Sequence, residues 1–338
     1  MICRPAVSPP EPPLPLLITG IAGVAGYNAM DYFRRKYPGR VIGIRQQDNL
    51  RLRGPGIVAC NIEDDRRLAR LFDRYRFAAV LHCAGNCALK PCELDPPLAW
   101  RINFEGVLSV LRHVVPRGLR LVHLSVDLVF SGAGAGGYRE EAPTDPVTVY
   151  GKTMVAAERV ILGAYPAACI LRISLPMGVS SNGHAGAIDW IASRFKKSRP
   201  ATLYFDEIRT PTYTDCLNRL CETMLAGSVC GLFHAGGPRQ LSLYEIAQIV
   251  NRVGGYDPDC LQGIPRVEAG PMPPRAGNVT MDSGKLIRWL GYDPFDPWPL
   301  DDALVPTHRQ WHRERPPGEP RSPEHLHQVL CLNPTRGE

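Results

Sequence analysis

The chain has 338 residues, of which 44% are hydrophobic and 21% are charged. This composition excludes a fibrous repeat, a small disulfide-stabilised protein and a mainly disordered chain, while the length accommodates one large α/β unit or two domains. The formal net charge of +6 favours an anionic ligand such as a nucleotide, but it is too small to indicate a nucleic-acid partner.

The lengths of the apolar runs and the positions of the cysteines indicate the cellular compartment. The sequence has no apolar run that approaches the roughly 20 residues needed to span a bilayer, and residues 1–15 lack the apolar segment of a secretory signal. The 11 cysteines are scattered, and several lie inside apolar runs, as reduced thiols in the cytoplasm do. Since their spacing does not match a metal site, we expect a cytoplasmic protein with no metal and no membrane contact.

The predicted elements begin after a proline-rich leader at residues 1–15, which we expect to be flexible. From there, short apolar strands alternate with amphipathic helices as far as residue 175. The predicted strands span residues 16–20, 40–44, 57–60, 78–82, 119–124 and 168–173. The predicted helices span residues 24–37, 64–75, 98–115 and 146–164. This alternation predicts an α/β fold with a Rossmann-type doubly wound parallel sheet at residues 16–175.

After residue 175 the pattern is less regular, and residues 176–300 are predicted to form a smaller C-terminal region, partly interleaved with the sheet. Helices are predicted there at residues 188–197, 215–226 and 242–253. Residues 301–338 are rich in Pro, Arg and His, and we expect a tail that is poorly ordered over residues 314–338. Its histidines are expected to be solvated, and they are His308, His312, His325 and His327.

A glycine-rich turn follows the first strand and opens the first helix, with the sequence Thr19-Gly20-Ile21-Ala22-Gly23-Val24-Ala25-Gly26. Glycines let a pyrophosphate approach the backbone, and the helix N-terminus supplies free N–H groups and a positive dipole end. The strand–turn–helix context therefore predicts a dinucleotide site. The predicted binding residues are Gly20, Ala22, Gly23, Val24 and Gly26. The alternative is a glycine-rich turn without a ligand.

The end of the second strand bears on which dinucleotide is bound. An acidic residue there would bind the ribose hydroxyls of NAD, whereas Arg45 offers a cation to the 2′-phosphate of NADP. We therefore expect NADP, with NAD as a second possibility and a solvated arginine as the alternative for Arg45. Asn61 and Ile62 follow the third strand, where the adenine would lie, and Ala84-Gly85 follow the fourth, where small residues let the cofactor pass. Residues 16–175 are thus predicted to be an NADP-binding domain, and residues 176–300 the substrate-binding region.

Several motifs occur in the order found in one known family. They lie at residues 19–26, 82–85, 102–103, 124–132, 150–152 and 171–172, with later matches at 206–212, 231–237 and 274–286. Together they resemble the extended short-chain dehydrogenases/reductases, in particular the dTDP-4-dehydrorhamnose reductase group. That group also includes the regulatory β subunit of methionine adenosyltransferase. The resemblance covers about residues 16–295 and implies an oxidoreductase with Asn103 and Tyr150 at the cofactor site.

The catalytic set of that family is incomplete in this chain. In the family, a tyrosine exchanges a proton with the substrate oxygen, a lysine four residues later lowers the pKa of that phenol, and a Ser or Thr hydroxyl binds the substrate carbonyl. Tyr150 matches the tyrosine, but the lysine position is Met154 and the hydroxyl position is Val126. Ser125 is adjacent to Val126 and, on a strand, is expected to face the opposite side.

These departures predict weak acid–base catalysis. A phenol without a neighbouring cation has a pKa of about 10. The loss of acid–base catalysis would slow the reaction roughly 10²–10⁴-fold. A cation could come from Lys90, in the loop after the fourth strand, or from Lys152 after a local register shift. On a regular helix Lys152 points about 160° of arc away from Tyr150. The alternative for Tyr150 is a tyrosine that serves packing only.

The substrate pocket is expected beyond the carboxyl ends of the strands. Four side chains are predicted to contact the substrate, and they are His184, Trp190, Arg209 and Arg275. The two arginines could hold a nucleotide diphosphate through charge-assisted hydrogen bonds, or could be solvated surface residues. Trp190 could instead belong to the core or serve helix packing, and His184 could be a polar loop residue.

Two functions follow from these observations. The first is an NADP-dependent reductase that acts on a nucleotide-activated 4-keto sugar by hydride transfer. The second, motivated by Met154 and Val126, is a cofactor-binding regulatory or interaction subunit with little or no catalysis. A homodimer or a regulatory partner protein is compatible with either.

Overall fold

The computed structural model describes residues 11–334, so residues 1–10 of the predicted leader lie outside the described residues. The strands are β1 (Leu16–Thr19), β2 (Val41–Arg45), β3 (Ile57–Ala59), β4 (Ala79–His82), β5 (Arg120–Val126), β6 (Cys169–Ile173), β7 (Pro176–Met177), β8 (Ala201–Tyr204), β9 (Ile208–Arg209), β10 (Thr212–Tyr213), β11 (Gly231–Ala235), β12 (Leu241–Ser242) and β13 (Leu261–Ile264). The main sheet contains all six strands predicted for residues 16–175.

The central sheet has seven parallel strands in the order β11-β6-β5-β4-β1-β2-β3. The strand order reverses between β1 and β4, and ligands of open α/β sheets bind outside the carboxyl ends of the strands at such a point. The predicted α/β Rossmann-type fold is confirmed. The turn after β1 and the loop after β4 are therefore the elements that frame the site.

Helices cover both faces of the sheet. They are α1 (Val24–Lys36), α2 (Asp65–Tyr75), α3 (Leu89–Leu94), α4 (Pro96–Trp100), α5 (Gly106–Val114), α6 (Val149–Ala164), α7 (Ala187–Lys196), α8 (Thr214–Ala226), α9 (Leu243–Val253), α10 (Gly284–Leu290) and α11 (Pro323–Leu326). Leu16 and Ile18 pack with α1 and α8, whereas Leu17 between them packs with α2, α5 and α6. Alternate residues of one strand thus enter opposite cores, which is why the strand reads as a continuous apolar run.

The predicted helix over residues 98–115 is interrupted. It begins two residues earlier, where the Asp95 carboxylate accepts a hydrogen bond from Leu98 N, and α4 passes through a π-helical turn, Arg101–Glu105, before α5 begins. Such turns add a residue to the helix and often occur at functional sites. The π-helical turn carries Asn103, which an uninterrupted helix would rotate away from its partners.

The expectation of a poorly ordered C-terminal tail over residues 314–338 is wrong for residues 314–334, and residues 335–338 lie outside the described residues. Trp311 and Leu330 are buried in the core that contains α9. Arg252 on α9 forms an ion pair with Glu319 at 2.8 Å and lies 4.1 Å from the centre of the Trp311 ring. His312, expected to be solvated, is 1% exposed. The sequence pattern did not show these contacts because they join residues about 60 positions apart.

No helix among residues 11–334 is long and apolar enough to cross a membrane.

Candidate functional site

The three glycines of the glycine-rich turn differ in how closely other atoms pack around them. Gly20 has a φ of +68°, and a Cβ there would lie 2.5 Å from the Ala84 Cα atom. A Cβ on Gly26 would lie 2.4 Å from the Gly20 carbonyl oxygen. A Cβ on Gly23, in contrast, meets its nearest neighbour at an ordinary 3.6 Å. The first and last glycines are therefore required by packing, whereas Gly23 leaves space for a ligand.

The N-terminus of α1 suits an anion. Its cap residue is Gly23, which offers no side-chain hydrogen bond, and the first turn holds no acidic residue. The N–H groups at this end, including that of Val24, are free to bind a diphosphate, and the helix dipole favours negative charge there. This arrangement fits the dinucleotide predicted from the sequence.

A loop formed by residues 179–186 lies against this turn. The Ser181 hydroxyl donates to the Ala22 carbonyl at 3.1 Å, and the Asn28 amide donates to the Val179 carbonyl at 2.7 Å. His184 lies in this loop and is exposed. The loop thus borders the predicted diphosphate position, so His184 faces solvent at the rim of the cofactor site.

Arg45 is not the solvated arginine of the alternative interpretation. Its Nε atom donates to the Leu52 carbonyl at 2.6 Å, and its Nη1 atom donates to the Gln46 carbonyl at 2.7 Å. The guanidinium is therefore fixed against the loop after β2. The Asn61 side chain accepts from Gln47 N at 2.9 Å and holds the same loop. Ile62 is buried below it.

Thr19 and His82 connect the turn to the loop after β4. The Thr19 Oγ atom accepts from the backbone N–H groups of Cys83 and Ala84, both at 3.1 Å, so its hydroxyl donates to His82 Nδ1 at 2.7 Å. Burial lowers the pKa of His82 to about 4, which keeps the ring neutral as this hydrogen bond requires. Neither residue was identified in the sequence as part of the site.

Asn103 connects this loop to α6 through hydrogen bonds. It is 1% exposed, its Oδ1 atom accepts from Asn86 N at 2.6 Å, and its Nδ2 atom donates to the Thr153 hydroxyl of α6 at 2.9 Å. Asn103 thus links the loop to α6, and its contact with the cofactor stays a prediction. A Cβ on Gly85 would lie 3.4 Å from the Asn103 Oδ1 atom.

Tyr150 lies in an apolar setting at the start of α6. It packs in one cluster with Val126 and Met154, and it is 9% exposed. Burial raises the pKa of Tyr150 well above its ordinary range, and Cys87 and Asp127 act in the same direction. The phenol is therefore held neutral, and its proton is harder to release than that of a tyrosine in water.

Ser125 and its neighbour Val126 have different surroundings: Val126 packs with Tyr150, whereas Ser125 contacts Glu158. Its hydroxyl hydrogen-bonds the Glu158 carboxylate, which also forms a buried ion pair with Arg172 at 2.7 Å. Glu158 and Arg172 were not predicted. Since Ser125 is committed to this cluster, it does not replace the hydroxyl missing at Val126.

The two candidate replacement lysines lie elsewhere. Lys152 is exposed and lines a surface cavity together with Trp100 and Arg159, so the register shift that would turn it toward Tyr150 is absent. Lys90 is exposed on α3. Arg209 supplies the cation that favours ionisation of Tyr150, but its effect on the pKa is smaller than that of burial.

The substrate contact predicted for Arg209 needs correction. Arg209 is 4% exposed, and its Nε and Nη2 atoms donate to the two oxygens of Asp127 at 2.7 and 2.6 Å. Its Nη1 atom lies 3.5 Å from Glu207. Arg275 also pairs with Glu207, at 2.7 Å. The two arginines and the two carboxylates form one cluster in which the charges balance. Arg209 therefore holds Asp127 and Glu207 in place and does not face the substrate.

Arg275 and Trp190 are the remaining candidates besides His184. The Arg275 guanidinium lies 4.5 Å from the centre of the Tyr204 ring, and its side chain is 17% exposed. Trp190 on α7 is 45% exposed, so it does not belong to the core, whereas the alternative that it packs on its helix stays a prediction. The contacts of His184, Trp190 and Arg275 with a substrate stay predictions. Asp127 and Glu207 were missed, although Asp127 directly follows Ser125-Val126 at the end of β5.

Comparisons with known proteins identify the family and the fold. The profile of the RmlD substrate binding domain family matches residues 15–299. The dTDP-4-keto-6-deoxy-D-glucose reductase of Streptomyces niveus is 26% identical over 286 residues, which are 83% of this chain and 93% of the relative. Methionine adenosyltransferase 2 subunit beta of Xenopus laevis is 26% identical over 276 residues, 80% of each chain.

One solved structure shows the same fold with a ligand. The dTDP-4-dehydrorhamnose reductase of Bacillus anthracis, in complex with NADP, superposes with a TM-score of 0.72 at 21% identity, covering 84% of this chain and 95% of that one. The likeness establishes the fold.

Proposed function

The chain belongs to the RmlD substrate binding domain family, and from that premise we propose that it binds NADP(H) and reduces a nucleotide-activated 4-keto sugar. The observation that carries the proposal is the turn after β1, where Gly23 leaves space above an uncapped helix N-terminus. When bound, the dinucleotide supplies the hydride. The chain's own residues bind it, orient the sugar and provide the proton.

The residues proposed to hold the dinucleotide surround the strand-order reversal. The backbone of Ala22, Gly23 and Val24 would bind the diphosphate. Arg45 is held by backbone carbonyls on its Nε and Nη1 atoms, and we assign its Nη2 group to the 2′-phosphate that distinguishes NADP from NAD. The structure of the Bacillus anthracis relative contains NADP, which supports this preference.

Tyr150 is the proposed proton donor. Its phenol lies at the carboxyl end of the sheet and is neutral, so it can donate to the oxygen of a reduced carbonyl. Because Met154 takes the place of a cation and burial holds the phenol pKa high, we expect slow proton transfer. The names of relatives such as the Streptomyces niveus enzyme support a dTDP-linked 4-keto sugar as substrate. Trp190 and Arg275 are the side chains proposed to contact it.

The second candidate is a cofactor-binding regulatory subunit in the cytoplasm with little catalysis. The apolar residues Val126 and Met154 around a buried Tyr150 favour it, and the Xenopus laevis relative is a subunit of another enzyme. The cysteines of the described residues are all free, which supports a reducing compartment for either candidate. A regulatory partner, or a second copy of the chain, would be the binding partner.

One titration separates the candidates. Purified protein is titrated with NADPH, a dTDP-4-keto-6-deoxy sugar is added, and the absorbance of the reduced nicotinamide is followed. The reductase proposal predicts slow oxidation that Tyr150→Phe abolishes. Binding of NADPH without oxidation, equal in the wild type and Tyr150→Phe, would reject the reductase and support the regulatory subunit. Failure to bind NADPH would reject both.

A further inference from the structure

A cavity of about 320 Å³ lies at the edge of the sheet, between α6 and β11. Three of its lining side chains are aliphatic, namely Val155 and Leu162 of α6 and Leu232 of β11. Glu158 and Arg172 also reach it, but they are 3% and 4% exposed and neutralise each other. The cavity therefore has an apolar surface above a compensated ion pair.

Two cations line this cavity without a carboxylate partner. Arg159 projects from α6 and is exposed, and it forms no ion pair within residues 11–334. Lys285 of α10 donates from its Nζ atom to the Leu232 carbonyl at 2.8 Å, and the same atom lies 4.7 Å from the centre of the Phe233 ring. Arg159 and Lys285 thus offer positive charge to an anionic group.

Two carboxylates line the same cavity from the chain between β5 and α6. One oxygen of Glu140 accepts from His234 N at 2.8 Å. Glu141 is exposed and has no ion-pair partner in the part of the chain that the structure describes. Neither carboxylate is neutralised by Arg159 or Lys285. The cavity therefore offers separate sites for a positive and a negative group beside an aliphatic surface.

We propose that this cavity binds a free α-amino acid with an aliphatic side chain. Its carboxylate would pair with Arg159 and Lys285, and its ammonium group with Glu140 and Glu141. The aliphatic side chain would pack on Leu162 and its apolar neighbours. A purely anionic or purely cationic ligand would leave one pair of charges without a partner on desolvation.

An adjoining cavity of about 260 Å³ provides a comparison within the same protein. It shares Thr144, Val155 and Arg159 with the first, and Lys152 is its other charged residue. No carboxylate lines it, so it offers nothing to an ammonium group. The proposal therefore concerns the cavity at Glu141 and Lys285 alone.

The ligand is tested by calorimetric titration of the full chain with L-leucine, 4-methylvalerate and 3-methylbutylamine. The last two molecules keep the side chain but lack the ammonium and the carboxylate, respectively. We expect saturable leucine binding and at least about tenfold weaker binding of both analogues, because each loses a charge-assisted hydrogen bond. Absence of saturable leucine binding, or equal binding of leucine and an analogue, would overturn the proposal.

The location is tested with Arg159→Gln and Glu141→Gln, which alter exposed side chains. Each is expected to weaken leucine binding about tenfold. Arg66→Gln, an exposed change on α2, none of whose residues lines the cavity, is the matched control and should leave binding unchanged. Saturating NADPH should not displace leucine, since the cavity lies outside the cofactor turn. Displacement by NADPH, or full affinity in both cavity variants, would place the ligand elsewhere and reject the assignment.

Discussion

At the scale of single residues, the surroundings of Tyr150 determine its pKa and hence how well it can act in acid–base catalysis. Met154 lies one helical turn from Tyr150 and is 4% exposed, so the position that faces the phenol is filled by an apolar side chain. Asp127, whose charge also raises the pKa of Tyr150, is already paired with Arg209 at 2.6 Å. The pKa of Tyr150 is consequently set by burial, which opposes ionisation.

Met154→Lys should therefore increase NADPH oxidation in the sugar assay, by about tenfold or more if acid–base catalysis limits the rate. A cation beside the phenol lowers its pKa, so the falling limb of the pH–rate profile, where the proton donor ionises, should move to lower pH. Met154→Leu, which keeps the apolar contact, is the control and should behave like the wild type. Equal rates and equal profiles for the two variants would contradict this account.

Arg209 gives a prediction about stability. Replacing it with Met leaves Asp127 buried without its charge partner, which should cost about 3–5 kcal/mol of unfolding free energy. Arg34→Met is the comparison, since Arg34 pairs with Asp31 across side chains that are 50% and 39% exposed. That change should cost less than about 1 kcal/mol. Urea unfolding of both variants measures the difference, and similar costs would mean that burial of the Asp127 pair does not matter.

At the scale of elements, local patterns predicted the sheet and missed the features that depend on distant contacts. The strands of residues 16–175 were predictable because parallel strands are buried on both faces and read as apolar runs. The interruption at Asn103 was not predictable, since it is stabilised by Thr153, 50 residues away. The same holds for Arg209, whose carboxylate partner Asp127 is 82 residues away. The glycine turn was predictable because its chemistry is contained in one short segment.

The turn offers a matched pair of substitutions. Gly23→Ala adds a methyl group whose nearest contact is 3.6 Å at a φ of −79°, so it should cost about 1 kcal/mol or less. The methyl group occupies the space assigned to the diphosphate, so NADPH affinity should fall at least about tenfold. Gly20→Ala should instead destabilise the fold, because its Cβ would meet Ala84 at 2.5 Å with φ at +68°. Thermal unfolding and NADPH titration check both, and unchanged affinity in Gly23→Ala would place the diphosphate elsewhere.

At the scale of the whole molecule, the C-terminal segment packs against the region formed by residues 176–300. Tyr213 donates to the Val329 carbonyl at 2.8 Å, and the Trp298 indole donates to the Leu330 carbonyl at 2.9 Å. On α9, the Gln248 amide lies 3.2 Å from His312 Nδ1. The segment after residue 300 is therefore part of the core formed with residues 176–300. The stability of this packing should depend on the protonation of the groups that it buries.

His312 makes this response measurable. Burial, with Arg313 nearby, lowers its pKa from 6.5 to about 4. Between these two values the unfolded chain binds a proton that the folded chain does not, so stability is present above about pH 6.5 and declines as the pH falls toward 4. His312→Gln removes this titration, and urea midpoints should therefore fall less steeply between about pH 6.5 and 4.5 than in the wild type. His308→Gln, at an exposed position, should keep the wild-type slope. An unchanged slope in His312→Gln would show that His312 does not contribute to the acid sensitivity of the fold.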